Sequence, residues 1–201
     1  MIKCISGVYS PDEGEIYVEG QRALIHNPRD AAAAGIATVY QDLALVDSRD
    51  VAANIFLGRE FTYGRGIFVN RSKGLEEAKK ALATLRADIP SVRVMVGQLS
   101  GGQRQAVAIA RAIAQGGKIF IMDEPTAALG VAESREVLRL VAELKEQGAS
   151  VIVISHNLQH VFSVADRITV MRHGQIVGSP RKGETTMEEI VQMIVGARTA
   201  A

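Results

Sequence analysis

The chain has 201 residues, of which 47% are apolar and 22% charged, with a formal net charge of +1. That composition suits one globular domain with a substantial core, and the near-neutral charge gives no electrostatic reason to expect a nucleic-acid partner. No apolar run approaches the roughly 20 residues of a membrane-spanning helix, and the single Cys4 excludes an internal disulfide and fits a reducing, cytoplasmic setting.

Residues 2–6 read as the tail of a helix stopped at Gly7, and a Pro-Asp-Glu-Gly turn at 11–14 leads into an alternating strand at 15–19. Asn27-Pro28 opens a helix with Pro at its first position, ending at Gly35. A second strand at 36–40 delivers Gln41 at its end, where an ordinary surface glutamine is the plain alternative to a functional one. From 50 to about 95 the pattern turns helical. Residues 50–57 are apolar on one side, and 72–86 carry Leu75, Ala78, Lys79, Leu82 and Leu85 at amphipathic spacing. The link at 58–66, with Arg59, Phe61, Tyr63 and Arg65, reads as irregular.

The most informative stretch follows. Ser100 is a good N-cap and Gln103, three residues on, completes a capping box; Ala106, Ile109, Ala110 and Ile113 then repeat on one helix face. Gly101 and Gly102 weaken such a helix by roughly 1 kcal/mol each. They are expected to leave bare N–H groups at its positive end, where an anion can approach, although a capped helix and nothing more fits equally well. Residues 119–122 form a continuous apolar run, the pattern of a parallel strand buried on both faces. It ends in Asp123 and Glu124, at the edge where open α/β sheets place their ligands. Adjacent carboxylates repel and need a cation, a proton or solvent, so a solvated strand end bounded by Pro125 is the alternative.

A helix at 131–147 has Val137, Leu138, Val141 and Leu144 as its core face and stops at Gly148. The apolar strand at 151–154 runs directly into Ser155-His156. A lone histidine is ordinarily structural or exposed, but this is the third strand end with a functional type of side chain. Gln41, Asp123, Glu124 and His156 can therefore converge on one rim of a parallel sheet. Residues 167–171 and 174–178 read as a hairpin, and 187–195 as a closing helix.

Two of these segments carry a family resemblance. Leu-Ser-Gly-Gly-Gln-Arg-Gln at 99–105, followed by an apolar strand and Asp-Glu-Pro-Thr at 123–126, resembles the signature helix and Walker B strand of ATP-binding-cassette (ABC) ATPases. Residues 12–16, 39–45, 54–60 and 127–130 are similar to ATP-binding subunits of bacterial simple-sugar importers of the fructose and ribose type. The resemblance implies an α/β fold of the P-loop NTPase kind, a parallel sheet flanked by helices. Residues 1–201 would form one ABC ATPase domain with a helical subdomain at about 50–115.

It also implies ATP and Mg²⁺ as ligands, with each ATP held between two subunits. Ser100, Gly101, Gly102 and Gln103 would face the partner's nucleotide. Asp123 would hold Mg²⁺ through water, Gln41 would reach the metal and the attacking water, Glu124 would polarise that water, and His156 would contact the γ-phosphate. The implied partners are integral-membrane permease subunits, a second ATPase subunit and, indirectly, a periplasmic or extracellular sugar-binding protein. The implied location is the cytoplasmic face of the membrane.

There are departures from the family pattern. Gly130 stands where most members have an aspartate, which bears on how two nucleotide sites would communicate. The phosphate-binding sequence G-x-x-G-x-G-K-[ST] is not found, and residues 1–7 resemble the helix just after it. The expectation is an N-terminally truncated copy or a misplaced start, without the first strands and the Walker A loop. Three functions stay open: the importer ATPase, a catalytically incompetent cassette that only donates the signature motif to a complete partner, and a soluble cassette of DNA repair or translation. The third is disfavoured, because the repair proteins carry long coiled coils and the translation factors tandem cassettes.

Overall fold

A computed structural model describes residues 1–64 and 66–196; Arg65, which the sequence reading placed in the irregular link, lies outside the described residues. The chain falls into two compact units, 1–154 and 155–201.

The first unit begins with α1 (Ile2–Ile5), β1 (Tyr17–Val18), β2 (Gln21–Arg22), α2 (Pro28–Ala33) and β3 (Ile36–Val39). It continues through α3 (Val51–Ile55), β4 (Thr62–Tyr63), β5 (Phe68–Val69), α4 (Arg71–Thr84) and α5 (Gly101–Ala114), and closes with β6 (Ile119–Asp123), α6 (Val131–Glu146) and β7 (Ser150–Ile154). Strands β3, β6 and β7 form one parallel sheet with β6 in the middle. Phe120, Ile121 and Met122 are no more than 1% exposed, as a continuous apolar run demands of a strand covered on both faces. Parallel neighbours need long crossovers. The helical block from α3 to α5 forms one and α6 the other. Asn27 caps α2 by accepting from the N–H groups of Arg29 and Asp30, with Pro28 in the first turn as its fixed φ favours.

Three details differ from the sequence reading. The strand expected at 15–19 is a tight hairpin, Tyr17 opposite Arg22 and Val18 opposite Gln21. Glu19 and Gly20 both take positive φ, 51° and 77°, the conformation whose twist matches the flanking strands. The link at 58–66 is not irregular throughout: Thr62 pairs with Val69 and Tyr63 with Phe68, whose rings stack with centroids 5.6 Å apart. On α6, Leu140 is fully buried with Val137, Val141 and Leu144, while Leu138 lies half-buried at the flank.

Polar ties join α4 to α6. Arg86 donates to Glu143 Oε1 (3.2 Å), Arg139 reaches the same oxygen (3.5 Å) and also Glu136 Oε1 (2.6 Å), and the Arg139 guanidinium donates to the Arg86 carbonyl (3.0 Å). The hydrogen bond from Arg139 holds the Glu136 carboxyl below the usual carboxylate range.

The second unit contains α7 (Leu158–Val164), β8 (Val170–Arg172), β9 (Gln175–Gly178) and α8 (Met187–Val195). The hairpin strands pair antiparallel with an irregularity between Val170 and Met171. Thr186 and Glu189 form a capping box on α8, and Gly196, at φ 86°, ends it. Ile168, Val170 and Ile190 make the small core, with Leu158, Val161 and Phe162 packed on it. No helix among the described residues is long and apolar enough to cross a membrane.

Two outcomes follow from this packing. Ile121→Ala, at a fully buried site between two strands, should destabilise the chain by about 2–5 kcal/mol in urea unfolding. Glu136 has its folded pKa depressed below the unfolded value of about 4.3, so its stabilisation is complete above that pH and is lost as pH falls through the folded value. Glu136→Gln should flatten that part of the acid-unfolding curve and leave the neutral-pH curve shape unchanged.

Candidate functional site

The parallel register brings the C-terminal ends of three strands to one edge. Val39 pairs with Met122 and Asp123 with Ile154. Gln41 stands two residues beyond Val39 and is exposed, while Asp123 and Glu124 are half-buried. β6 is apolar until it reaches this edge, so the first residues on it that can stay polar are these two carboxylates. The Glu124 N–H donates to the Ile154 carbonyl (2.9 Å), extending the β6–β7 ladder by one bond. Its φ is 48°, left-handed for a residue with a side chain. A strained backbone at a strand end is the sort of feature that clusters at functional positions. The chain then turns back on itself, with Ala127 donating to the Glu124 carbonyl (3.0 Å) and Ala128 at φ 59°.

His156 belongs to the second unit, where it is exposed, just ahead of α7. There the Asn157 N–H donates to Ser155 Oγ (3.1 Å), and Asn157 caps α7 through the His160 N–H (3.2 Å).

The second part of the candidate site is the start of α5. The capping box expected from Ser100 and Gln103 is present in both directions: Ser100 Oγ accepts from the Gln103 N–H (3.3 Å), and the Ser100 N–H donates to Gln103 Oε1 (3.1 Å). Gln103 Nε2 also donates to the Asp88 carbonyl (2.9 Å), and Ser100 remains exposed. The expectation of bare N–H groups fails at Gly101, whose N–H donates to Glu133 Oε1 (3.0 Å). The other oxygen of that carboxylate accepts from the Gly130 N–H (3.2 Å). One carboxylate therefore accepts one N–H at the start of α5 and one at the start of α6, each at the helix's positive end.

Gly101 also sits at a close approach. A Cβ on Gly101 would run into Leu129 Cδ2, whereas one on Gly102 would make only an ordinary contact, 3.5 Å from Glu133 Cβ. Bare backbone here lets the starts of two helices approach.

The pairing of this capped, glycine-bearing helix with a carboxylate-ending buried strand can be set against known proteins. The family model described as ABC transporter matches residues 1–127. The chain belongs to the ABC transporter family. It is 47% identical over 194 residues to the xylose/arabinose import ATP-binding protein XylG of Sulfolobus acidocaldarius, covering 96% of this chain and 76% of that relative. It is 46% identical over 205 residues to the fructose import ATP-binding protein FrcA of Rhizobium meliloti, covering 98% and 78%. Among solved structures, the ADP conformation of MJ1267, an ATP-binding cassette of an ABC transporter, aligns with a TM-score of 0.77 at 26% identity, covering 98% of this chain and 79% of that one. The expected α/β fold, a parallel sheet flanked by helices, is that of these ABC cassettes.

Within an ABC cassette, the donor set at the sheet edge suits a hard divalent cation. Asp123 and Gln41 offer oxygen ligands only, and Mg²⁺ is commonly bound by one or two carboxylates, substrate phosphates and retained waters. Among the described residues no group of three or more His, Cys, Asp or Glu could hold a metal ion by itself.

Sequence reading missed Glu133. Its signal was Gly130-x-x-Glu133, the second half of a capping box whose cap residue lacks a side chain. It missed Asn54 as well, a fully buried amide on the apolar side of α3.

Helix propensity alone says that Gly101→Ala should stabilise α5 by up to about 1 kcal/mol. The atom a Cβ would meet, Leu129 Cδ2, is the far end of a half-buried side chain that can turn aside, so the contact reduces this gain without reversing it. Thermal or urea unfolding of Gly101→Ala should show a change between zero and that gain, and a loss of more than about 1 kcal/mol would show that Leu129 cannot move aside.

Proposed function

We propose that this chain is the ATP-binding and ATP-hydrolysing subunit that powers carbohydrate import by an ABC transporter. The observation that carries the reading is the pinned strand end: Glu124, held half-buried at the sheet edge beside Asp123 by its backbone bond to Ile154. Membership of the ABC family and relatives named for xylose/arabinose and fructose import support the substrate class.

In this reading ATP lies between two cassettes. Ser100, Gly101, Gly102 and Gln103 of one face the nucleotide on the other, with the exposed Ser100 presented to phosphate while the Gly101 N–H stays with Glu133. Mg²⁺, when bound, supplies charge neutralisation of the phosphates, and Asp123 and Gln41 are the residues that would hold it. Glu124 accepts the proton of the attacking water; its carboxylate is carried by a fixed backbone position, so little reorganisation is needed. Gln41 orients the water, and the family resemblance gives His156 the role of contacting the γ-phosphate. The permease subunits, a second cassette and, indirectly, an extracytoplasmic sugar-binding protein are the partners, and the cassette sits on the cytoplasmic face of the membrane. The domain boundary that goes with this reading is a single ABC domain over 1–201, with its helical subdomain at about 50–115.

Glu124→Gln keeps the shape and removes the base. In the full-length protein assembled in its transporter it should lower ATP turnover by about 10²–10⁴-fold while ATP affinity stays within about twofold. Turnover and nucleotide binding are measured side by side, and turnover near the parental rate rejects Glu124 as the base.

A further inference from the structure

The segment that follows Gln41 is fastened to the helical block at three places, and none of the fasteners belongs to the site described above. Arg111, on the third turn of α5, donates from Nη1 to the Ala44 carbonyl (3.0 Å) and from Nη2 to the Leu43 carbonyl (2.6 Å). Its guanidinium is half-buried and, among the described residues, makes no ion pair. A desolvated cation that directs two donors at adjacent backbone carbonyls is shaped for that backbone and for nothing else nearby. Two helical turns earlier on the same face, Arg104 pairs with Asp47 (3.4 Å), and the Asp47 carbonyl accepts from the Gly97 N–H (3.1 Å).

The third fastener is Asn54. Its Oδ1 accepts from the Val46 N–H (2.7 Å), and its Nδ2 donates to the carbonyls of Val46 (3.1 Å), Arg49 (3.2 Å) and Asp50 (3.0 Å). Residues 43–50 are thus strapped to α5 and α3. Between the end of β3 and this strap only Tyr40, Gln41 and Asp42 intervene, and Tyr40 and Gln41 are exposed. The strap begins at a strained turn, with Ala44 at φ 47° and its N–H held by Asp42 Oδ1 (3.0 Å).

We infer that Arg111 is a positioning residue for Gln41: by clamping the Leu43 and Ala44 carbonyls to α5 it makes the signature helix and the Gln41 segment one mechanical unit. With the Leu43 and Ala44 carbonyls held, Gln41 stands two positions from a fixed point of the backbone. This rests on the ATPase reading and adds a residue that touches neither nucleotide nor metal. Arg111 acts on turnover through geometry, so its loss should appear in kcat and not in ATP affinity.

The test compares Arg111→Gln and Arg111→Lys in the full-length protein within its transporter. Arg111→Gln cannot place two parallel donors, so kcat should fall about tenfold with KM for ATP within about twofold, and amide exchange across residues 43–47 should quicken about tenfold while α5 keeps parental protection. Arg111→Lys keeps the charge and one donor and should fall between, about threefold down in kcat; it carries the test if the glutamine variant does not fold. Parental kcat in either folded variant, or a loss seen in KM alone, overturns the inference and leaves the ATPase reading standing. No hydrolysis by the parent protein overturns that reading, and the role of Arg111 with it.

Discussion

Burial of β6 on both faces and both edges is the constraint from which the other features of the first unit descend. A strand hydrogen-bonded to β3 on one side and β7 on the other has no room for a polar side chain along its length, and Phe120, Ile121 and Met122 are accordingly sealed from water. Its polarity can only appear at the end. Asp123 and Glu124 take that place, and the extra ladder bond from the Glu124 N–H turns a chain terminus of the sheet into a fixed platform. Because all three strands run the same way, whatever follows them is presented at a common edge, and the crossovers needed to keep them parallel become the helices that surround it.

Among those helices α5 is deeply set. Gln105 through Ala110 are all buried, which alanine side chains permit by letting neighbours come close. The same economy of volume operates at its start, where Gly101 admits the Leu129 side chain. The Glu133 carboxylate accepts one N–H at the start of each helix, those of Gly130 and Gly101. Gly130 is a poor substitute for a polar N-cap by a few tenths of a kcal/mol, and Glu133 offsets this with its bonds to Gly130 and Gly101. The departure at Gly130 thus has a local structural counterpart in the same turn.

Much of this was legible in the order of residues because it is local. The capping box at Ser100 and Gln103 spans three positions, the proline-started helix at Asn27 spans two, and the buried strand announces itself as an unbroken apolar run. The two short hairpins were harder: strands of two residues carry no periodicity, and only the positive-φ pair Glu19-Gly20 and the facing rings of Tyr63 and Phe68 define them. Hardest were bonds between distant residues. Gly101 and Glu133 are 32 positions apart, Arg111 and its two carbonyls 67 and 68, and nothing in a window of helical length connects them. Leu138 and Leu140 on α6 show a milder form of the limit. Both are apolar and both lie near the face, and the packing of neighbours chose the one that a strict repeat omitted.

The amide of Asn54 has a consequence in the chemistry of ageing. Its oxygen accepts from one N–H and its nitrogen faces three carbonyls, so both ends are committed and the orientation of the group is settled by its partners. Deamidation to aspartate would leave a carboxylate, which has no proton to donate, against three carbonyl oxygens in a place sealed from water. Hydrolysis of that single side-chain bond would loosen residues 46–50 as surely as cutting the chain beside them. The burial that makes the damage so costly also keeps water from the bond that would have to break.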